Sequence, residues 1–271
     1  YSFIGFFYSC ITPSSSGGQP AQVFYMKKDG IKIGFSSLIM LVVTVAYKAV
    51  LVIFGVLFFI FRHSFVVEHV GSWMWLLIIG FILNLAYIGG LVFIFFRPMW
   101  ARSAGIKIIN FLCRIHFLKQ KNNEKYLNKI DRVCDNYIKG AEYIKNNVRA
   151  IVNIFLITAV QRLFLLTVTY VVYRSYGLSG TGFIGIIAIQ TMISITVEML
   201  PLPGAAGITE ACFIVMFSGI FSDGYVRSGM LLSRGLSFYC LLIMSAAVTF
   251  AAHILCMRKS AAEEHEKDGN R

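Results

Sequence analysis

The chain has 271 residues, of which 57% are hydrophobic and only 14% charged. Lys and Arg outnumber Asp and Glu by 25 to 13, a formal net charge of +12, and the mean hydropathy is +0.71. No water-soluble core of this size needs so many apolar runs, so soluble classes are excluded and an all-α, multi-pass membrane bundle is expected.

Residues 1–11 are apolar and open without Met, which reads as an N-terminally incomplete chain; no signal peptide is assigned. They end at Thr12-Pro13-Ser14-Ser15-Ser16-Gly17-Gly18-Gln19-Pro20, a run of Pro, Gly and small residues. Pro removes a backbone donor and Gly weakens a helix, so this run is expected to break one. A short apolar stretch, 21–26, leads to the basic turn Lys27–Lys32. Residues 33–61 are long enough to span a bilayer with tilt. A polar loop is expected over 62–72. Residues 73–96 span again, with Trp73 and Trp75 as interface anchors.

Residues 97–149 hold twelve Lys/Arg against four acids, an excess of eight positive charges. Between flanking spans this is a cytoplasmic loop under the positive-inside rule, suited to an anionic leaflet. A direct nucleic-acid role is set aside. Within it Leu127, Ile130, Cys134, Tyr137, Ala141, Ile144 and Val148 repeat at steps of three and four, one apolar helical stripe. Its expected home is the membrane interface or the flank of a neighbouring helix.

Residues 150–173 span. After a loop at 174–182 come the apolar run 183–199, a second break and a further apolar stretch, 208–221. The break reads Pro201-Leu202-Pro203-Gly204-Ala205-Ala206-Gly207-Ile208-Thr209-Glu210. The last span is expected over about 227–257, giving one transmembrane domain over 1–257 and a disordered polar tail over 258–271. The six Cys (10, 113, 134, 212, 240 and 256) form no CxxC pair and read as small hydrophobes.

Lipid cannot satisfy freed backbone groups, so broken helices at membrane depth belong where protein or a water-filled cavity surrounds them, and paired breaks point to a transport site. With the basic segments and the C-terminus placed inside, 183–221 begins and ends outside as a hairpin. If residues 1–11 begin a similar hairpin, it enters from the cytoplasm. Opposed hairpins are expected of inverted repeats.

Ionisable residues inside a bilayer are expensive and usually face a cavity or a partner. Lys48 lies mid-span in 33–61, Arg162 in 150–173 and Arg234 early in the last span, while Glu198 and Glu210 flank the second break, with Gln190 upstream. Mutual pairing or snorkelling is the bland reading for all of them. For Lys48 and Arg234 it weighs equally with a functional one; for Arg162 and Glu210 function is favoured. Arg binds phosphate through a bidentate fork. A half-helix N-terminus opened at Gly17-Gly18 or at Gly204–Gly207 offers N–H groups to an anion. Glu210 suits an ammonium headgroup or neutralises a nearby Arg. No HExxH, GxSxG, P-loop or GxGxxG motif is present. His63, Glu68 and His69 read as a solvated loop, so no metal or cofactor is expected.

The first break with the basic turn after it, Thr12-Pro13…Gly17-Gly18-Gln19-Pro20…Met26-Lys27-Lys28, resembles the TP-x-x-x-GG-[EQ]-P element of the flippase-like membrane domains. The second, with Pro203, Gly204, Gly207, Glu210 and Ala211, resembles their P-x-PGG-x-G-x-x-E-A element, Ala205 standing where a second Gly is usual. These are the membrane parts of lysylphosphatidylglycerol synthetase/flippase proteins (multiple peptide resistance factor type), and the resemblance covers nearly the whole chain. It implies a bacterial plasma-membrane protein that moves aminoacylated or other lipids and lowers surface negative charge against cationic peptides. The expected substrate-handling residues are Arg162, Glu210, Arg234, Lys48, Gly17, Gly18, Gln19, Pro203, Gly204, Gly207 and Glu198. In that family lysine transfer from lysyl-tRNA belongs to a soluble domain, so the transferase chemistry is not expected of these residues. One alternative is the membrane part of a phosphatidylglycerol lysyltransferase whose catalytic domain is separate. Another is a membrane scaffold with paired buried charges. A homo-oligomer or a separate synthase partner fits any of the three.

Overall fold

The computed structural model describes residues 1–12, 16–97, 99–100, 102–103, 106–107, 123–200, 202–222 and 224–269. The described residues are helical, without a strand. The helices are α1 (Ser2–Ile11), α2 (Gly18–Lys28), α3 (Ile33–Phe61), α4 (His63–Val70), α5 (Met74–Phe96), α6 (Asn123–Asn146), α7 (Val148–Ser175), α8 (Phe183–Val197), α9 (Ile208–Phe217), α10 (Val226–Arg234) and α11 (Cys240–Gly269). A five-residue π turn, Gly235–Tyr239, joins α10 to α11. Four stretches are long and apolar enough to cross a membrane: Ile33–Phe61, His63–Phe96, Val148–Ser175 and Val226–Cys256. The chain is therefore a polytopic helical membrane bundle.

Helices α8 and α9 occupy its centre. On α8, Ile186, Ile189, Met192 and Ile193 are each at most 1% exposed, and on α9 Cys212, Met216 and Phe217 are fully covered. The spans that surround them keep large apolar side chains outward, such as Phe164, Ile243 and Phe250. A helix apolar all round belongs in the interior, whereas a span with one covered face belongs at the lipid boundary.

Contacts fix which segments share an end of the bundle. Phe65 of α4 abuts Gly185 at the start of α8, and His69 abuts Gly219 just beyond α9. The rings of Tyr176 and Tyr225 lie 5.0 Å apart. The α4 region, both ends of the α8–α9 hairpin and the start of α10 therefore meet at one end. At the other, Tyr1 donates to Asp29 and the Tyr25 hydroxyl lies 3.3 Å from His253 Nδ1, which brings together the start of α1, the end of α2 and the end of the last span. The two hairpins thus enter from opposite ends.

Three expectations are corrected. The segment 62–72 is not a solvated loop: α4 occupies most of it, and Val66 and Val70, four residues apart, are fully buried against α8 and α9. The first break is shorter than its sequence. Helix α2 resumes at Gly18, and Pro20 sits in its first turn, where a missing N–H costs nothing because no intrahelical partner exists there. Finally α11 continues to Gly269 through the polar tail, whose Ala and Glu residues favour helix.

The amphipathic helix expected in the basic region is α6. Of its two candidate homes it takes the neighbouring helix: Gly34 of α3 lies against the backbone of Val133 and Tyr137, and Gly140 lies against Phe35 and Leu38. Asp131 accepts from Arg102 Nε at 2.7 Å, and this bond holds its carboxyl below the usual range. Residues 108–122 of the basic loop, Pro13–Ser15 of the first break, Pro201 and Cys113 lie outside the described residues. Among the described cysteines, Cys10, Cys134, Cys212, Cys240 and Cys256 are free thiols.

Candidate functional site

Two spans carry a cation at mid-depth. Lys48 lies 15 residues after Ile33 and 13 before Phe61, and Arg162 lies 14 residues after Val148 and 13 before Ser175. At 1.5 Å per residue each sits about 20 Å from either helix end. Both are buried, at 8% and 4% exposure.

Their common partner is Glu198, the residue that ends α8. Lys48 Nζ lies 2.8 Å from Glu198 Oε2, and Arg162 Nη2 lies 2.6 Å from Glu198 Oε1. The Arg162 guanidinium stacks on the Tyr47 ring, its Cζ 3.6 Å from the centroid, so the neighbour of Lys48 on α3 holds the second cation flat. Two cations meet one carboxylate, leaving an excess of one positive charge. Arg162 Nε makes no hydrogen bond among the described residues, and Nη2 meets Glu198 as an ion pair without hydrogen-bond geometry. The cluster sits at the C-terminal end of α8, whose free carbonyls carry partial negative charge that favours cations. One of those carbonyls, Ile195 O, accepts from Asn84 Nδ2 of α5 at 3.3 Å. The contact needs Gly80: a Cβ there would stand 2.5 Å from the same oxygen.

The second cluster lies across the break itself. Gly204 (φ 57°), Ala205 (φ 51°) and Gly207 (φ 85°) all take left-handed backbone, which turns the chain from α8 into α9. Gly does so without strain; Ala205 bears the steric cost of its Cβ. The N–H of Gly207 donates to Glu210 Oε2 at 2.6 Å, so Glu210 fills the N-terminus of α9. Arg234 Nε donates to Glu210 Oε1 at 2.7 Å, and its Nη2 donates to Gly204 O at 2.8 Å. The same guanidinium lies 4.4 Å from the centre of the Phe238 ring, within the π turn. This fork ties the last span to the break, and its charges balance.

The first break reaches the same depth from the other side. Thr12 accepts from the N–H of Gly17 at 2.9 Å and donates to Tyr8 O at 2.6 Å, so its hydroxyl closes the turn. Gly18 packs against Ser9 and the carbonyl of Gly5 with no room for a side chain. Gln19 Nε2 donates to Thr44 Oγ1 at 2.9 Å, one turn before Lys48 on α3. Helix α1 packs on the Pro203–Ala205 turn and Phe6 meets Phe238, ring centroids 6.0 Å apart, which joins the two breaks.

The expected site residues fall in three groups. Lys48, Arg162 and Glu198 form a charged triad. Glu210, Arg234, Gly204 and Gly207 form a locked turn, with Pro203 in its short helical turn. Gly17, Gly18 and Gln19 stand together at the first break. Gln190 accepts from Thr169 Oγ1 at 3.2 Å, and that hydroxyl lies 2.8 Å from Ser233 Oγ, next to Arg234 in the chain. The sequence reading missed Tyr47 and Asn84; the single polar residue in the apolar run 74–96 was the available signal for the latter. Among the described residues no three His, Cys, Asp or Glu gather to hold a metal, and His69 is occupied with Phe65 O at 2.8 Å.

Paired broken helices, opposed in entry and joined at mid-depth, place this chain among polytopic helical membrane proteins whose irregular backbone is enclosed by protein. Residues 1–245 match the family described as the lysylphosphatidylglycerol synthase TM region, and the chain belongs to that family. No curated protein and no solved structure gives a match.

Proposed function

We propose that this chain translocates phospholipid, taking an anionic headgroup phosphate at the Lys48–Arg162–Glu198 triad midway through the bilayer. The excess positive charge of that triad carries the reading. A buried, uncompensated cation in a membrane is costly, and an arriving phosphate removes the imbalance while offering an acceptor to Arg162 Nε. The locked turn at Glu210 and Arg234 then holds the two half-helices in place around the lipid. An aminoacylated phospholipid is the substrate class that family membership favours, with resistance to cationic peptides as its consequence. The basic turn, residues 97–149 and the C-terminal end of α11 face the cytoplasm of a bacterial plasma membrane, and the two hairpins act as inverted repeats.

The test is a vesicle assay of fluorescent-lipid translocation with wild type, Arg162→Ala and Glu210→Gln. Arg162→Ala abolishes movement of anionic lipid on this reading, and Glu210→Gln slows it by loosening the turn. Equal rates in all three would remove the site assignment.

A second reading has its own support. Lys48, Arg162 and Arg234 each have a carboxylate partner, as a membrane scaffold with paired charges requires. That reading expects every charge-removing variant to change stability and none to change lipid movement in the protein that remains folded.

A further inference from the structure

A cavity of about 600 Å³ opens on the lipid-facing side of the bundle, between α3 and α5. Gly55 and Phe59 form one wall, Ile78 and Phe81 the other, and Met192 and Ile195 of α8 the floor; His63 closes the end beneath α4. Its size is that of a small-ligand site, and its lining is almost wholly apolar. From Gly55 to His63 the groove runs eight residues, about 12 Å along the helix axis.

Its position relative to the charged triad gives it an occupant. Gly55 is seven residues beyond Lys48 on α3, the same face two turns on, and Ile195 is three residues before Glu198 on α8. The groove therefore continues the two faces that carry the triad, and it opens where hydrocarbon chains are the solvent. Ile78 and Ile82, 52% and 58% exposed, stand at its rim.

We propose that this groove holds one acyl chain of the phospholipid whose phosphate meets the triad. The choice of ligand rests on the translocation reading above. The lipid then lies with its phosphate at mid-depth and its chain directed toward the α4 end. Held at both points, it keeps one orientation while its headgroup is between leaflets.

The test is photolabelling. Purified protein is reconstituted in vesicles containing phosphatidylglycerol with a diazirine in one acyl chain, irradiated, and mapped by peptide mass. The expected result is several-fold more label on peptides covering 55–63 and 74–82 than on the equally lipid-exposed Ile243–Phe250 segment. Ile78→Trp or Ile82→Trp, each adding bulk at an exposed rim, removes the excess and leaves labelling at Ile243–Phe250 unchanged. Uniform labelling, an excess that both variants leave intact, or protein–protein adducts at the groove would overturn the proposal. Labelling is read without transport. Loss of the phosphate site therefore shows as unaltered translocation in Arg162→Ala, and loss of the groove as uniform label.

Discussion

Replacing Glu198 by Gln removes the only carboxylate of the triad and leaves Lys48 and Arg162 facing each other, both less than a tenth exposed. Breaking a buried pair by removing one partner costs about 3–5 kcal/mol, and a lone Lys or Arg at the centre of a membrane helix costs a comparable ~2.5–3.5 kcal/mol. Replacing Lys48 by Met has the opposite logic. Arg162 and Glu198 remain as a one-to-one pair at 2.6 Å, the excess charge disappears, and an unbranched apolar side chain of similar length takes the place of the lysine stem. Its cost is expected below about 1.5 kcal/mol. At roughly 2–4 °C per kcal/mol for a chain near this size, Glu198→Gln lowers the melting temperature in detergent by about 6–20 °C, and Lys48→Met moves it by only a few degrees. The assay is thermal unfolding followed by size-exclusion recovery. Equal losses in the two variants would refute the view that two cations share one carboxylate.

Three further outcomes follow from the same geometry. Ala205→Gly relieves a left-handed backbone that costs about 1–2 kcal/mol for a residue with a Cβ, against about 0.4–1 kcal/mol of added unfolded-state freedom; a melting temperature raised by a few degrees is expected, and a fall would contradict the strain. Gly80→Ala forces a Cβ against Ile195 O and is expected to destabilise by about 1–3 kcal/mol, whereas Gly89→Ala, with open space around it, gains up to about 1 kcal/mol of helix propensity; the two melting shifts should have opposite signs. Arg234→Lys keeps the charge but loses the fork across Glu210 and Gly204 and the stack on Phe238, so a loss of about 1–2 kcal/mol is expected; unchanged melting would show that charge alone holds the turn.

The spans were legible in the sequence because lipid imposes a simple rule of length and apolarity: α3 falls at 33–61 as read, and α5 and α7 differ from their expected bounds by a residue or two. The second break was legible through Pro203, Gly204 and Gly207, since left-handed backbone restricts residue type. Helix α4 was hidden because His63, Glu68 and His69 gave its segment a polar look, while Val66 and Val70 carried the packing. The partners of the charges were not legible. Glu198 stood in the sequence as one of two acids beside a break, and Glu210 drew the greater weight. Only the register of α3 and α7 against the end of α8 shows that Lys48 and Arg162 converge on Glu198, from 150 and 36 residues away. Pairing of this kind depends on helix crossing and rotation, which periodicity does not encode.

The central claim is that the excess charge of the triad serves a headgroup phosphate and is not needed for folding. Lys48→Met tests it most directly, because it neutralises the excess and leaves Arg162 and Glu198 as a one-to-one ion pair. Translocation of a fluorescent anionic phospholipid should fall at least several-fold in vesicles containing this variant, with its melting temperature nearly unchanged. A folded Lys48→Met protein that moves the lipid at the wild-type rate would contradict the account.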